Sequence, residues 1–139
     1  MTLELGRTTT RDERLAWRPD EAIAAARRPG PDERATVALA MFDQLDSAGL
    51  PLDALELSIV YWSRALDGLA PGPVPADRLA QLDRELAIEA QTAPPLARWL
   101  AALRRDVATA HDLDWAIQFL LSVRQTWTLT TAARARGHS

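Results

Sequence analysis

The sequence contains no cysteine, no lysine and no asparagine, and only two histidines among its 139 residues. Without cysteine, the chain cannot form disulfides, thiolate metal sites or a cysteine nucleophile. Without lysine, it cannot use Schiff-base chemistry or the lysine of a phosphate-binding P-loop. All sixteen positive charges are therefore arginines. Because lysine and asparagine codons are rich in A and T, we interpret this bias as the signature of a bacterial genome of high GC content.

Long apolar runs are also missing. No uncharged apolar run reaches the roughly 18–20 residues of a membrane span, and the most apolar stretch, 115–133, carries Arg124 near its middle. The first letters, MTLELGRTTTRDER, lack the apolar core of a secretory leader. We therefore expect a cytoplasmic protein with no membrane contact. The net charge is −3 and arginines alternate with acids, which makes nucleic-acid binding an unfavoured role because phosphates require a basic face.

Prolines divide the chain into segments rich in helix-forming residues, and no segment has the alternation of a strand. Proline is tolerated in the first turn of a helix and disrupts its interior, so the prolines mark helix starts and loops. The predicted helices cover about 19–28, 31–48, 52–68, 75–92, 94–109 and 112–135. We favour a break before the last helix, because Asp112 or Asp114 of the HDLD sequence can cap a helix N-terminus.

This pattern predicts an all-α fold, a single-domain bundle of five to six antiparallel helices with the C-terminal helix at its centre. The bundle comprises 16–135, after a flexible arm at 1–15 and before a disordered tail at 136–139. The last helix is placed centrally because its apolar residues cover more than half of its circumference, as is typical of an enclosed helix. These residues are Leu113, Trp115, Ala116, Ile117, Phe119, Leu120, Leu121, Val123 and Trp127.

Arg124 is the one charged residue between Asp114 and Thr131, and it lies within this apolar arc. An unpaired buried charge costs several kcal/mol, so the guanidinium must meet an anion or reach solvent. The favoured interpretation is an internal ion pair with Glu56 or, as a second candidate, Asp67. The others are a ligand carboxylate or phosphate bound by the two-pronged guanidinium, and an extended side chain that reaches solvent.

The titratable residues form no recognisable catalytic set. His111 and His138 do not supply the further histidines of metal phosphohydrolases, and the paired Glu-x-x-His motifs of di-iron bundles are missing. Glu85 and Glu89 lie four residues apart on one helical face, where a solvated acidic surface is a more frequent role than metal binding. We expect no catalytic residue, no metal and no cofactor, and we favour a protein that is not an enzyme.

Two functions remain open. Helix 52–68 is apolar on a second side, at Leu57, Val60 and Tyr61, which predicts a partner surface. The leading function is therefore a small non-catalytic interaction or regulatory protein that forms a homodimer or binds a protein partner there. The alternative is a helical pocket protein, either a ligand sensor or a small cyclase- or isomerase-type enzyme, with Arg124 as the anion anchor for a small molecule. Its cavity would be lined by Trp62, Trp99, Trp115 and Trp127.

Overall fold

Seven α-helices make up the fold in the computed structural model, which describes residues 9–27, 31–110 and 112–137, leaving aside the side chains of 31, 32 and 110. The helices are α1 (Arg11–Leu15), α2 (Pro19–Ala26), α3 (Pro31–Ser47), α4 (Leu52–Leu66), α5 (Ala76–Thr92), α6 (Pro94–Ala110) and α7 (Leu113–Gly137). The described residues contain no strand, so the predicted all-α class is confirmed.

Proline and glycine set the helix limits as predicted, and the six predicted helices agree with α2–α7 to within two residues at each end. Pro19 is the first residue of α2, where its missing N–H costs no hydrogen bond. Gly49 follows α3 with φ of 76°, the left-handed conformation that ends helices. The predicted break before α7 is confirmed: the Asp112 Oδ1 accepts a hydrogen bond from the Trp115 backbone N–H at 2.9 Å.

Helix α1 lies in the segment predicted to be a flexible arm, and it was not among the predicted helices. The Thr10 side chain caps it by accepting a hydrogen bond from the Glu13 N–H at 3.1 Å. Five residues are too few to show a helical repeat of apolar side chains, so the sequence pattern could not indicate this helix. The division into arm, domain and tail stays a prediction. Residues 1–8 of the arm and 138–139 of the tail lie outside the described residues.

The core is formed by the inward faces of α2 to α7. Helix α7 packs mainly against α3 and α4, and Phe42 of α3 meets Trp127 of α7 edge to face with ring centroids 5.4 Å apart. Burial of side chains of this size contributes about 1.5–3 kcal/mol each. The largest fully buried side chains are Trp62, Trp99, Phe42, Phe119, Ile23, Met41, Leu45, Leu55, Leu82, Leu96, Leu100 and Leu103.

Helix α7 is not enclosed by the other helices, contrary to the prediction. Its apolar side is buried from Leu113 to Trp127, but the opposite face is exposed at Gln118, Leu121 and Arg124. From residue 128 to 137, only Thr130 is even partly buried. The physical reason is that two helices, α3 and α4, provide most of the packing of α7, so one side of it remains open to solvent.

Gln44 of α3 connects the N-terminal helices to the core through three hydrogen bonds. Its Nε2 donates to the carbonyl oxygens of Arg14 at 3.0 Å and Trp17 at 2.9 Å, and its Oε1 accepts from the Nε1 of Trp99 at 3.0 Å. Trp99 is buried, so the loss of Gln44 would deprive its N–H of this hydrogen bond in the core. The amide therefore fixes the loop before α2 against α3 and α6.

We expect Gln44→Leu to lower the free energy of unfolding by about 2 kcal/mol, because a buried N–H without a partner costs about that much. Urea denaturation followed by circular dichroism measures the change. Gln91→Leu, at an exposed position near the end of α5, is the matched control and should leave stability within about 0.5 kcal/mol. Equal stability of the two variants would contradict the structural role of Gln44.

Candidate functional site

The four tryptophans predicted to line a ligand cavity are packed in the core instead. They are Trp62, Trp99, Trp115 and Trp127, all buried. Trp115 stacks on Phe119 with ring centroids 5.6 Å apart and planes 11° from parallel. None of the four lines the surface grooves described below. The structure therefore places all four as core residues, whereas the Arg124 side chain is 53% exposed.

Arg124 lies on the exposed face of α7, although a helical wheel places it within the apolar arc. Its side chain is 53% exposed, and its Nε donates a hydrogen bond to the Oε1 of Glu56 at 3.2 Å. The Glu56 side chain is itself 42% exposed. Asp67, the second predicted partner, is exposed at the C-terminal end of α4. An ion pair this open to water contributes about 0–1 kcal/mol. The pair therefore adds charge to the surface and little to stability.

The residues predicted to form a partner surface lie on the outer side of α4, and they belong to a larger apolar patch. Leu57, Val60 and Tyr61 are each 45–59% exposed. Tyr61 shares one groove with Ile88 of α5, and Val60 shares another with Leu121 of α7. These five residues are called the apolar patch below. It extends across three helices and holds five of the six exposed large apolar side chains among the described residues.

The apolar patch exists because α4 is apolar on two sides while the bundle covers only one. Leu55, Ile59 and Trp62 face the core and are buried, which already satisfies the packing of an outer helix. Leu57 and Val60 lie on the opposite side and have no covering helix within the described part of the chain. Contiguous exposed apolar surface of this kind usually marks an interaction site.

An arginine groove of about 450 Å³ lies beside the apolar patch, between α4 and α5. Its lining residues are Tyr61, Arg64, Arg78, Gln81, Arg84, Glu85 and Ile88. Arg78 donates from Nη1 to the backbone oxygen of Arg64 at 3.2 Å, and the Arg64 guanidinium lies 6.0 Å from the Tyr61 ring centroid. Within the described ranges, Arg64 and Arg84 have no carboxylate at ion-pair distance. The groove therefore offers two free guanidinium groups to a carboxylate.

Sequence reasoning missed this groove. Arg64 lies on α4, whereas Arg78 and Arg84 lie on α5, and only the packing of the two helices brings their side chains together. One signal was present in the sequence: Arg78 and Arg84 lie on one helix whose stripe of leucines is narrow. That signal does not indicate which residues of α4 lie beside these arginines, so it could not have located the groove.

Glu85 and Glu89 are buried, so the predicted solvated acidic face is wrong for this pair. They are 4% and 7% exposed. Burial, with the neighbouring Glu89 as hydrogen-bond partner and second negative charge, raises the pKa of Glu85 to about 7. The pair therefore holds a proton well above the ordinary titration range of a carboxyl group. Among the described residues, no three potential ligands from His, Asp and Glu are grouped closely enough to hold a metal ion.

A second cleft, of about 430 Å³, lies where α2 and α6 begin. Arg18 and Arg98 line it, and both are exposed. Its polar floor is Gln44, whose amide groups are already occupied by the three hydrogen bonds described above. The cleft thus presents surface arginines without a buried polar group that lacks a partner. The apolar patch with its arginine groove is the stronger candidate site.

No helix within the described ranges combines the length and the apolar character needed to cross a bilayer. In comparisons with protein-family models, with curated proteins and with solved structures, nothing matched this chain.

Proposed function

We propose that this protein is a small non-catalytic interaction protein, with a regulatory or assembly role, that binds a protein surface through the apolar patch. The observation that supports the proposal is the grouping of five exposed apolar side chains on α4, α5 and α7. These side chains are only about half exposed, so removing the rest of each from water on binding contributes about 1 kcal/mol. A patch of this kind gives affinity to a partner that covers it.

The composition of the patch and its surroundings also supports a protein partner. Tyr61 and Arg64 lie next to each other at the arginine groove, and tyrosine and arginine are enriched among the residues that dominate binding energy in protein interfaces. The Glu56–Arg124 ion pair borders the other side of the patch. An apolar centre with a charged rim is the usual anatomy of an interface.

The pocket-protein alternative has less to support it. It required a cavity lined by tryptophans with Arg124 as its anion anchor. The four tryptophans are core residues, and Arg124 lies at the surface beside Glu56. A ligand site with that composition would need a large rearrangement of the bundle, at the cost of the core packing of α7 against α3 and α4.

Site-specific photocrosslinking in the native cell tests the proposal. A photoreactive phenylalanine analogue at Val60 should give one reproducible protein adduct, which mass spectrometry identifies and which Tyr61→Glu abolishes. The same analogue at Ala24, exposed on α2, is the control and should give none. An adduct with a second copy of this chain counts as binding. The proposal is wrong if Val60 gives no adduct, or the same adducts as Ala24.

A further inference from the structure

We propose that the partner of the apolar patch is a second copy of this chain, bound so that the two α4 helices cross in antiparallel orientation about a two-fold axis. The inference rests on the proposed function, because it names the protein that covers the same patch. What selects a second copy is the order of charges along the exposed side of α4.

Four exposed residues of α4 form a single stripe: Asp53, Leu57, Val60 and Arg64. They occur at i, i+4, i+7 and i+11, which places them within about 60° of the helix circumference. The stripe, called the α4 stripe below, has an acid at its N-terminal end, two apolar residues in the middle and a base at its C-terminal end. Such an order is complementary to itself when one copy is reversed.

An antiparallel pair of α4 helices uses this complementarity twice. With the two-fold axis midway between Leu57 and Val60, Asp53 lies opposite the partner's Arg64. In the same register, Leu57 lies opposite the partner's Val60. Each contact recurs on the other side of the axis, as the symmetry of a two-fold interface requires. A parallel arrangement would set Asp53 beside the partner's Asp53, with like charges in contact.

The charges at the two ends of the stripe are available for this pairing. Neither Asp53 nor Arg64 has an ion-pair partner within the part of the chain that the structure describes. Some exposed charges are already occupied, for example Asp83, which pairs with Arg104 at 3.0 Å. A carboxylate that approaches Arg64 also enters the arginine groove with Arg78 and Arg84, whose combined positive charge attracts it further.

The width of the apolar patch suits an interface of modest size. Helix α4 has 15 residues and is therefore about 22 Å long. Ile88 and Leu121 extend the apolar surface to the neighbouring helices, which lie about 8–10 Å away when packed. Stable interfaces cover about 800 Å² per partner, and the apolar patch offers only five large apolar side chains, each partly buried already. We therefore expect a reversible dimer that depends on protein concentration.

Charge reversal at the ends of the α4 stripe tests the register. In the Asp53→Arg dimer, residues 53 and 64 are both arginines and face each other at both ends of the interface. In the Arg64→Asp dimer, both positions are acids and face each other in the same way. Each variant alone should associate about tenfold more weakly, because like charges oppose across the interface. An equimolar mixture of the two should recover association, since the heterodimer restores opposite charges at both ends. Sedimentation velocity from micromolar to near-millimolar concentration measures all three.

Matched controls separate this effect from a change in folding. Glu21→Arg reverses an exposed acid in the first turn of α2, as Asp53→Arg does in α4, and should leave association unchanged. Val60→Glu, at the centre of the stripe, should also weaken association. Mixing it with either charge-reversal variant should not restore association. Circular dichroism checks that each variant keeps its helices.

The outcomes distinguish the two proposals. A parent chain that stays monomeric at every concentration overturns the dimer, and a Val60 adduct with another protein would then leave the proposed function standing. A dimer that both charge reversals leave unchanged also overturns the inference, because another surface must form it. Recovery in the mixture supports the antiparallel register, and the absence of any Val60 adduct removes the proposed function together with the dimer.

Discussion

Replacing Arg14 by leucine is expected to lower the free energy of unfolding by about 3–5 kcal/mol, because it leaves a buried carboxylate without its partner. The Nε of Arg14 donates to the Oδ2 of Asp43 at 2.6 Å, and the two side chains are 13% and 6% exposed. Arg14 also donates from Nη1 to the Thr9 carbonyl oxygen at 2.7 Å. The guanidinium thus fixes α1 to α3.

The neighbouring arginine cannot replace Arg14. The Nε of Arg11 lies 3.9 Å from the Oδ1 of Asp43, and its side chain is 51% exposed. At that distance and exposure, the attraction is largely screened by water. The loss of Arg14 therefore leaves the Asp43 carboxyl group without its close partner in a site that is largely closed to solvent.

Two comparisons make the Arg14 prediction specific. The double variant Arg14→Leu/Asp43→Leu should recover most of the lost stability, because both charges are then gone. Arg105→Leu removes an ion pair with Asp20 in which both side chains are more than half exposed, and it should cost about 0–1 kcal/mol. If urea denaturation shows that Arg14→Leu and Arg105→Leu lower the free energy of unfolding equally, the burial of Asp43 does not matter for stability.

The second large effect concerns pH. The pKa of Glu85 is raised from 4.5 to about 7 in the folded protein, first by burial and then by Glu89. Between these values, the unfolded chain has released the proton that the folded chain still binds, so the stability of the fold decreases as pH rises. At about 1.4 kcal/mol for each pH unit, the decrease is about 3 kcal/mol, and it ends above pH 7.

Glu85→Gln should remove this pH dependence, because an amide keeps the shape of the protonated acid and does not ionise. We expect the variant to be more stable than the parent by about 3 kcal/mol at about pH 8 and nearly equal to it at about pH 4.5. Thermal unfolding across the pH range measures the difference. The result that contradicts the prediction is a parent whose stability is flat from pH 4.5 to 7.

Other groups do not obscure this comparison. Three arginines line the same groove, and arginine side chains are not deprotonated in proteins. The hydrogen bond from Arg134 lowers the pKa of Asp46, so the stability that Asp46 contributes is lost only as pH falls below about 4. Subtracting the Glu85→Gln profile from that of the parent cancels these contributions. Glu21→Gln, at an exposed position, should follow the parent.

The helices of this protein could be predicted from the sequence because their limits depend on local chemistry. Pro19 and the Pro94–Pro95 pair begin helices, Gly49 ends one, and Asp112 caps one. Each of these effects acts within one helical turn, so neighbouring letters are sufficient to find it. The outer side of α4 could be predicted for the same reason, since two apolar stripes on one helix are visible in its own residues.

The environment of Arg124 could not be predicted in the same way. A helical wheel places it among apolar residues, yet the wheel does not say which side of α7 the other helices cover. Glu56 lies beside it because it borders the inner stripe of α4, and the pair is exposed. Burial of Glu85 and the arginine groove depend likewise on how α4 packs against α5, which no single segment encodes.

The placement of aromatic residues has a practical consequence for measuring these effects. All five indole rings are buried, so their intrinsic fluorescence responds to loss of the core. The apolar patch holds no indole, and its one aromatic ring is the phenol of Tyr61. With excitation selective for indoles, one sample can therefore show whether the core remains intact while light scattering follows self-association independently.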